Sequence, residues 1–91
     1  MDSNIANKQQ LSRGQISPAQ CRGARAMLKM SQQELAEASA VSPRAIADFE
    51  AAKRKMTKAN VAALQRALEA AGAEFTDGDQ PGVRLAKKRR R

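Results

Sequence analysis

Apolar residues recur every three or four positions between residues 17 and 72, and each run begins behind a residue type that caps helices. Ser17 followed by Pro18 predicts a first helix over about residues 18–29, because a proline at the first helical position loses no hydrogen bond. Ala24 and Leu28, four positions apart, would form its inward face.

Two short helices are predicted to follow in close succession. The run 31–34 (Ser-Gln-Gln-Glu) is a capping box and predicts a helix over about residues 32–38. Ser42-Pro43 repeats the first start signal and predicts a helix over about residues 43–51. The apolar residues that these two helices would bury are Leu35, Ala36, Ile46 and Phe49.

A longer fourth helix is predicted behind Thr57, another candidate cap. Its apolar positions keep helical spacing, and Gly72 is placed to end it in the left-handed conformation. Those apolar positions are Val61, Leu64 and Leu68. Four short helices within about 55 residues predict a compact all-α unit.

After Gly72 the period of the pattern changes to two. Val83 and Leu85 alternate with Arg84 and Ala86, and the turn signal Asp77-Gly78 separates them from Phe75. This alternation is typical of a two-strand ribbon, which would need a symmetry mate or the helices to pack on. A disordered, basic C-terminus fits the same residues, so both alternatives stay open.

Composition excludes several classes of function. The 91 residues include no His, Trp or Tyr and one Cys, so one chain cannot form a Cys/His zinc site, a His-based acid–base site or an intrachain disulfide. No apolar run approaches the roughly 18 residues of a membrane span, and the polar start is no signal peptide. We therefore expect a small, cytoplasmic binding protein that is not an enzyme and needs no cofactor.

The net charge of +8 is unevenly distributed, with +1 in residues 1–16, +3 in 17–76 and +4 in 77–91. Residues 1–16 lack a helical stripe and are interpreted as a flexible N-terminal arm. The other segments are then a helical domain at 17–72, a ribbon at 73–86 and a basic tail at 87–91. This tail would either contact DNA or only keep the protein soluble.

The distance between the second and third caps carries most information about function. Ser31 and Ser42 open helices with only residues 39–41 between them, which is the spacing of a helix-turn-helix locked by Leu35, Val41 and Ile46. Residues 31–50 and the basic Lys53-Arg54-Lys55 after them resemble the Cro/lambda-repressor-like (XRE-type) family of bacterial and phage regulators.

The resemblance covers about residues 17–72 and implies a fold, a function and an origin. The fold would be a four-to-five-helix lambda-repressor-like DNA-binding domain, with a short C-terminal β-hairpin or strand used in dimerisation. Residues 70–85 resemble the tail of single-domain members, which are frequent in phages and other mobile elements. Where the family commonly has glycine, this chain has Ala40 and Ala52, at a cost of about 1 kcal/mol wherever the backbone is left-handed.

The resemblance implies that helix 43–51 enters the major groove. The candidate base contacts are Ser42, Pro43, Arg44, Ala47 and Asp48. Arg44 can read guanine with its forked guanidinium, and Asp48 can accept from cytosine or orient Arg44 one turn away. A solvated Arg44 and a merely capping Ser42 are the alternatives.

Candidate phosphate contacts flank that helix. Those at the start of the second helix and in the basic segment are Gln32, Gln33, Lys53, Arg54, Lys55 and Lys58. In the family an arginine of the first helix pairs with the glutamate that closes the recognition helix, which implies a structural ion pair between Arg25 and Glu50. Cys21 is interpreted as an idle, buried thiol rather than a redox sensor.

The function implied is that of a repressor, nucleoid-associated, that binds a two-fold-symmetric double-stranded DNA operator as a homodimer. One recognition helix spans too few base pairs for specificity, and pairing places two of them about 34 Å apart. Residues 75–85 or the fourth-helix face formed by Ala63, Ala67 and Ala70 are the candidate dimer surfaces. The alternative is an antitoxin or bridging module of the same fold, with a toxin or an anti-activator as protein partner.

Overall fold

The computed structural model describes residues 15–76 and 81–86. The described elements are α1 (Pro18–Leu28), α2 (Gln32–Ser39), α3 (Pro43–Glu50), α4 (Lys58–Ala70), β1 (Ala73–Thr76) and β2 (Gly82–Leu85). The predicted all-α domain with a C-terminal hairpin is therefore confirmed, with four helices among the described residues. The arm before residue 15, the Asp77-Gly78 turn and the tail 87–91 lie outside the described residues.

All four helices begin at the predicted caps. The hydroxyl of Ser31 accepts from the backbone N–H of Glu34 at 2.9 Å, and the Glu34 carboxylate accepts in return from the N–H of Ser31 at 2.8 Å. Ser42 and Thr57 accept from the N–H groups three residues on, at 3.1 and 3.2 Å. These local bonds satisfy donors that every helix start leaves free.

The core is one cluster of small and medium apolar side chains from all four helices and the ribbon. The buried apolar residues are Ile16, Cys21, Ala24, Leu35, Ala36, Val41, Ile46, Phe49, Val61, Leu64, Leu68 and Ala73, with Leu28 only partly buried against them. Ile16 was assigned to the flexible arm, but it is 5% exposed. The packed domain therefore includes Ile16, whose burial is favourable because it removes an apolar side chain from water.

The ribbon is an antiparallel pair that packs on the helices. Phe75 lies opposite Val83 and Ala73 opposite Leu85, and the outward pair Glu74–Arg84 forms a salt bridge of 2.9 Å. Phe75 and Val83 pack against the core. A hairpin of this length is marginal by itself, and here the helical domain supports it, which is one of the two kinds of support expected from the sequence.

Gln20 joins α1 to both strands. Its side-chain amide donates to the carbonyl oxygens of Thr76 and Gly82, at 3.0 and 2.9 Å, while its oxygen accepts from the N–H of Ser17 at 2.9 Å. Gly23, one turn further along α1, allows the close approach, because a Cβ there would lie 3.3 Å from a Val83 methyl carbon. The ribbon is therefore fixed to α1 by a satisfied buried amide, which the sequence pattern did not reveal.

The two alanines at positions where the family that the sequence resembles commonly has glycine both have a left-handed backbone. Ala40 has φ 64° and ends α2, and Ala52 has φ 58° just after α3. Ala71, which caps α4, is right-handed, and the next residue, Gly72, has φ 119°. This positive value favours glycine, although it lies beyond the left-handed helical region that the sequence predicts for Gly72. Each of these two alanines therefore carries the backbone strain of about 1 kcal/mol that the sequence predicts for a left-handed alanine.

Replacing Ala40 or Ala52 by glycine is expected to raise the free energy of unfolding by up to about 1 kcal/mol each, since glycine adopts positive φ without a Cβ clash. Urea denaturation followed by circular dichroism measures the change. Ala71→Gly is the matched control, because Ala71 has φ −84° and gains nothing from glycine. A destabilised Ala40→Gly variant would contradict the strain.

Candidate nucleic-acid interface

The outward face of α3 presents a small set of side chains around its first turn. Pro43 and Arg44 are exposed, and Ala47 and Asp48 are half-buried. The Arg44 side chain is 86% exposed, so its guanidinium is free to meet a base edge. Ser42, another candidate base contact, is exposed and caps α3 with its hydroxyl. The start of α3 is thus a surface of short side chains from which Arg44 projects.

Asp48 lies between two arginines of this surface. Its Oδ2 is 3.7 Å from Nε of Arg44 and 3.9 Å from Nε of Arg54. Pairs this exposed add little stability. The two contacts place both guanidinium groups on the Asp48 side of α3, and a role of Asp48 in orienting Arg44 stays a prediction.

Two backbone hydrogen bonds at the end of α3 set the direction in which the basic segment leaves the helix. The N–H of Lys53 donates to the carbonyl of Asp48 at 2.9 Å and that of Ala52 to the carbonyl of Phe49 at 2.9 Å. This is a Schellman motif, and it needs the left-handed residue at Ala52. The side chains that it directs outward, Lys53, Arg54 and Lys55, are all exposed, as is Lys58 at the start of α4.

Behind this surface, the Glu50 carboxylate joins α1, α2 and α3. Arg25 donates to it twice, from Nε to Oε2 at 2.8 Å and from Nη2 to Oε1 at 2.7 Å. The Gln32 amide donates to Oε1 at 3.0 Å, and the Cys21 thiol to Oε2 at 3.2 Å. Glu50 is only 3% exposed, so these donors replace its water.

The protonation states follow from this arrangement. Burial alone would raise the pKa of Glu50, but the hydrogen bonds from Arg25, Gln32 and Cys21 and the charge of Arg25 together hold it below its ordinary value. Burial and the neighbouring Glu50 carboxylate raise the pKa of the Cys21 thiol far above its ordinary value. Cys21 therefore stays protonated as a hydrogen-bond donor, which favours the structural interpretation over a redox sensor.

Arginine side chains also tie down the backbone at both ends of this network. Nη1 of Arg25 donates to the carbonyl of Met30 at 3.0 Å, in the link between α1 and α2. Arg22 donates to the backbone carbonyl of Glu50, at the end of α3. The position of α3 is thus determined by α1 through both side-chain and main-chain contacts.

The side chain of Gln32 is half-buried, and its amide donates to the buried Glu50 carboxylate at 3.0 Å. The phosphate contact expected of Gln32 stays a prediction. The amide of Gln33 donates to Glu37 at 3.3 Å on the exposed side of α2. What remains for an anion at this end of α2 is the backbone, since capping uses the N–H of Glu34 and not those of the first two residues.

No helix in the described ranges 15–76 and 81–86 is long and apolar enough to cross a membrane. The same residues hold no group of three or more His, Cys, Asp or Glu side chains that could bind a metal ion.

Comparison of the sequence with protein-family models gives a match to the model described as helix-turn-helix over residues 22–75, more than half of the chain. Comparison with curated proteins gives no significant match.

We expect Arg25→Met to lower the free energy of unfolding by about 3–5 kcal/mol, because it leaves the buried Glu50 charge without its cation. Urea denaturation at neutral pH measures the loss. Arg66→Met is the matched control on the exposed side of α4 and should change stability by no more than about 0.5 kcal/mol. Equal effects of the two substitutions would contradict a structural role for the ion pair.

Proposed function

The chain belongs to the Cro/lambda-repressor-like (XRE-type) helix-turn-helix family of DNA-binding regulators, and from this premise we propose that it is a repressor that binds a two-fold-symmetric operator as a homodimer. The observation that carries the proposal is Arg44, whose side chain is 86% exposed at the first turn of α3, on a helix whose position is held by the Glu50 network. Such a helix can enter the major groove as a rigid unit.

Arg44 is the residue proposed to read a base. A bidentate arginine prefers guanine O6 and N7 and discriminates by about 1–3 kcal/mol. Pro43 and Ala47 are small, so they allow the groove floor to come close, and Ser42 and Asp48 flank the same contact. The Asp48 carboxylate, 3.7 Å from Nε of Arg44, would bias the guanidinium toward its side of α3 before DNA binds.

The proposed phosphate contacts lie on both sides of the recognition helix. Lys53, Arg54, Lys55 and Lys58 offer four exposed cations within six residues on the C-terminal side. On the other side, the free backbone N–H groups of Gln32 and Gln33 at the start of α2 can bind one phosphate. Two flanking grips of this kind set the register of Arg44 on the duplex.

For the dimer, the end of the ribbon is a better surface than α4. Leu85 and Met27 are the large apolar side chains that remain exposed among the described residues, at 43% and 41%. Their chain neighbours lie close together, since Ala86 donates to the carbonyl of Gly72, and a Cβ on Gly72 would lie 3.8 Å from a Leu28 methyl carbon. On α4, Ala63 and Ala67 already pack partly against the core, which leaves little apolar surface there.

The base-reading role predicts that Arg44→Ala loses specificity while the fold is retained. In gel shifts with a duplex selected by the wild-type protein from a random library, the variant should bind selected and scrambled duplexes with nearly equal affinity. Arg66→Ala is the matched control and should keep the preference. A wild-type protein that binds both duplexes equally, at any salt concentration, would refute sequence-specific binding.

The dimer surface predicts that Leu85→Lys weakens self-association at least tenfold without unfolding the domain, since it places a charge in the proposed apolar contact. Sedimentation equilibrium over a range of protein concentrations measures the dissociation constant. Ala70→Lys, on the exposed part of the α4 surface, is the matched control and should leave it unchanged. The opposite result would move the dimer surface to α4, and a monomer at all concentrations would exclude the homodimer.

A further inference from the structure

An open groove of about 360 Å³ lies beside the basic segment, between the start of α1, the end of α3 and the start of α4. Its volume is at the lower end of the roughly 300–1,000 Å³ typical of ligand sites. Since the groove is open to solvent along one side, it suits one or two side chains of a longer molecule better than an enclosed small ligand.

The floor of the groove is apolar. It is formed by Ile16, Pro18, Phe49, Met56 and Val61, of which Pro18 and Met56 are half-buried. A large aliphatic or aromatic side chain inserted here would remove apolar surface from water on both partners.

The rim of the groove is basic. Lys53, Arg54 and Lys55 follow one another along it, and the Arg54 side chain is 80% exposed. Among the described residues, the acidic group within ion-pair range of this rim is Asp48, at 3.9 Å from Arg54. The rim therefore carries positive charge that an acidic partner would neutralise.

We infer that this groove binds an acidic, amphipathic segment of a partner protein, with a large apolar side chain on the floor and carboxylates on the rim. Charge complementarity selects an anion, and the apolar floor distinguishes the occupant from the DNA backbone, which uses cations but has no apolar group to bury there. The contact resembles helix-in-groove recognition, in which spaced apolar anchors supply affinity and the flanking charges orient the helix.

Such a partner would compete with DNA. This consequence rests on the proposed function, because Lys53, Arg54 and Lys55 are there assigned to phosphates. A segment that occupies these three removes three of the four cations proposed to bind phosphates on that side of α3, so it would release the protein from DNA without reaching Arg44.

The test uses the full chain and a fluorescein-labelled 16-residue peptide of glutamates, with leucines at positions i, i+3, i+4 and i+7. Fluorescence anisotropy should show saturable binding, which weakens at least tenfold in the double variant Lys53→Gln/Lys55→Gln. The matched control is Lys29→Gln/Arg66→Gln, which removes the same charge from exposed positions outside the groove and should change affinity less than about threefold. Met56→Ser should weaken binding as well, through the floor.

Three outcomes would overturn the inference. A peptide with serines in place of the leucines could bind equally well, which would make the contact purely electrostatic. The two double variants could weaken binding equally, which would place the contact elsewhere. The full chain could fail to bind the peptide at all, as it would if its own first fourteen residues or a second copy cover the groove.

Competition is measured separately, by adding the unlabelled peptide to a complex with the selected duplex. Release of DNA at peptide concentrations that saturate the groove supports the shared cations, and simultaneous binding of both overturns the competition. Should the chain bind the peptide but no duplex, the proposed function fails while the groove assignment stands, so the two failures are distinguishable.

Discussion

The carboxylate of Glu50 accepts four hydrogen bonds from three donor residues on α1 and α2, and the position of α3 depends on it. A buried charge is expensive unless its partners are complete, and removing one partner of such a pair costs several kcal/mol. Arrangements of α1, α2 and α3 that separate these donors therefore leave an unpaired charge in the core. The network thus determines which arrangement is adopted, whether or not it adds net stability.

The proposed DNA-binding surface lies on the side of α3 that faces away from the Glu50 network. Most side chains of the core are small or medium-sized, and its aromatic residues are the buried Phe49 and the half-buried Phe75. In so short a domain, apolar burial alone therefore specifies the geometry only loosely. Caps at the helix starts and the Schellman motif after α3 add directional bonds at the points where the chain turns. As a result, the chain that carries Lys53, Arg54 and Lys55 leaves α3 in a direction set by these hydrogen bonds.

The elements that could be predicted from the sequence depend on neighbours in the chain. The capping box at Ser31 and the alternation at Val83 involve residues within a few positions of each other, and the exposure of Arg44 follows from helical spacing. The contacts that could not be predicted are long-range: Gln32 reaches a carboxylate 18 residues away, and Gln20 reaches carbonyls 56 and 62 residues away. An amide has no pattern that tells a surface glutamine from a buried one, so only the tertiary structure separates them.

Helix α1 is the common support of the two ends of the molecule. Near its start Gln20 holds the ribbon, and one to two turns later Arg25 holds α3, on a single helix of 11 residues about 16 Å long. Because α1 is rigid and is bonded to both elements, a small change in the position of the ribbon would tilt α1 and would rotate α3 with it. In the proposed homodimer, substitutions in the ribbon would then alter the separation of the two α3 helices, and with it the spacing of the operator half-sites, while the side chains proposed to read bases stay the same.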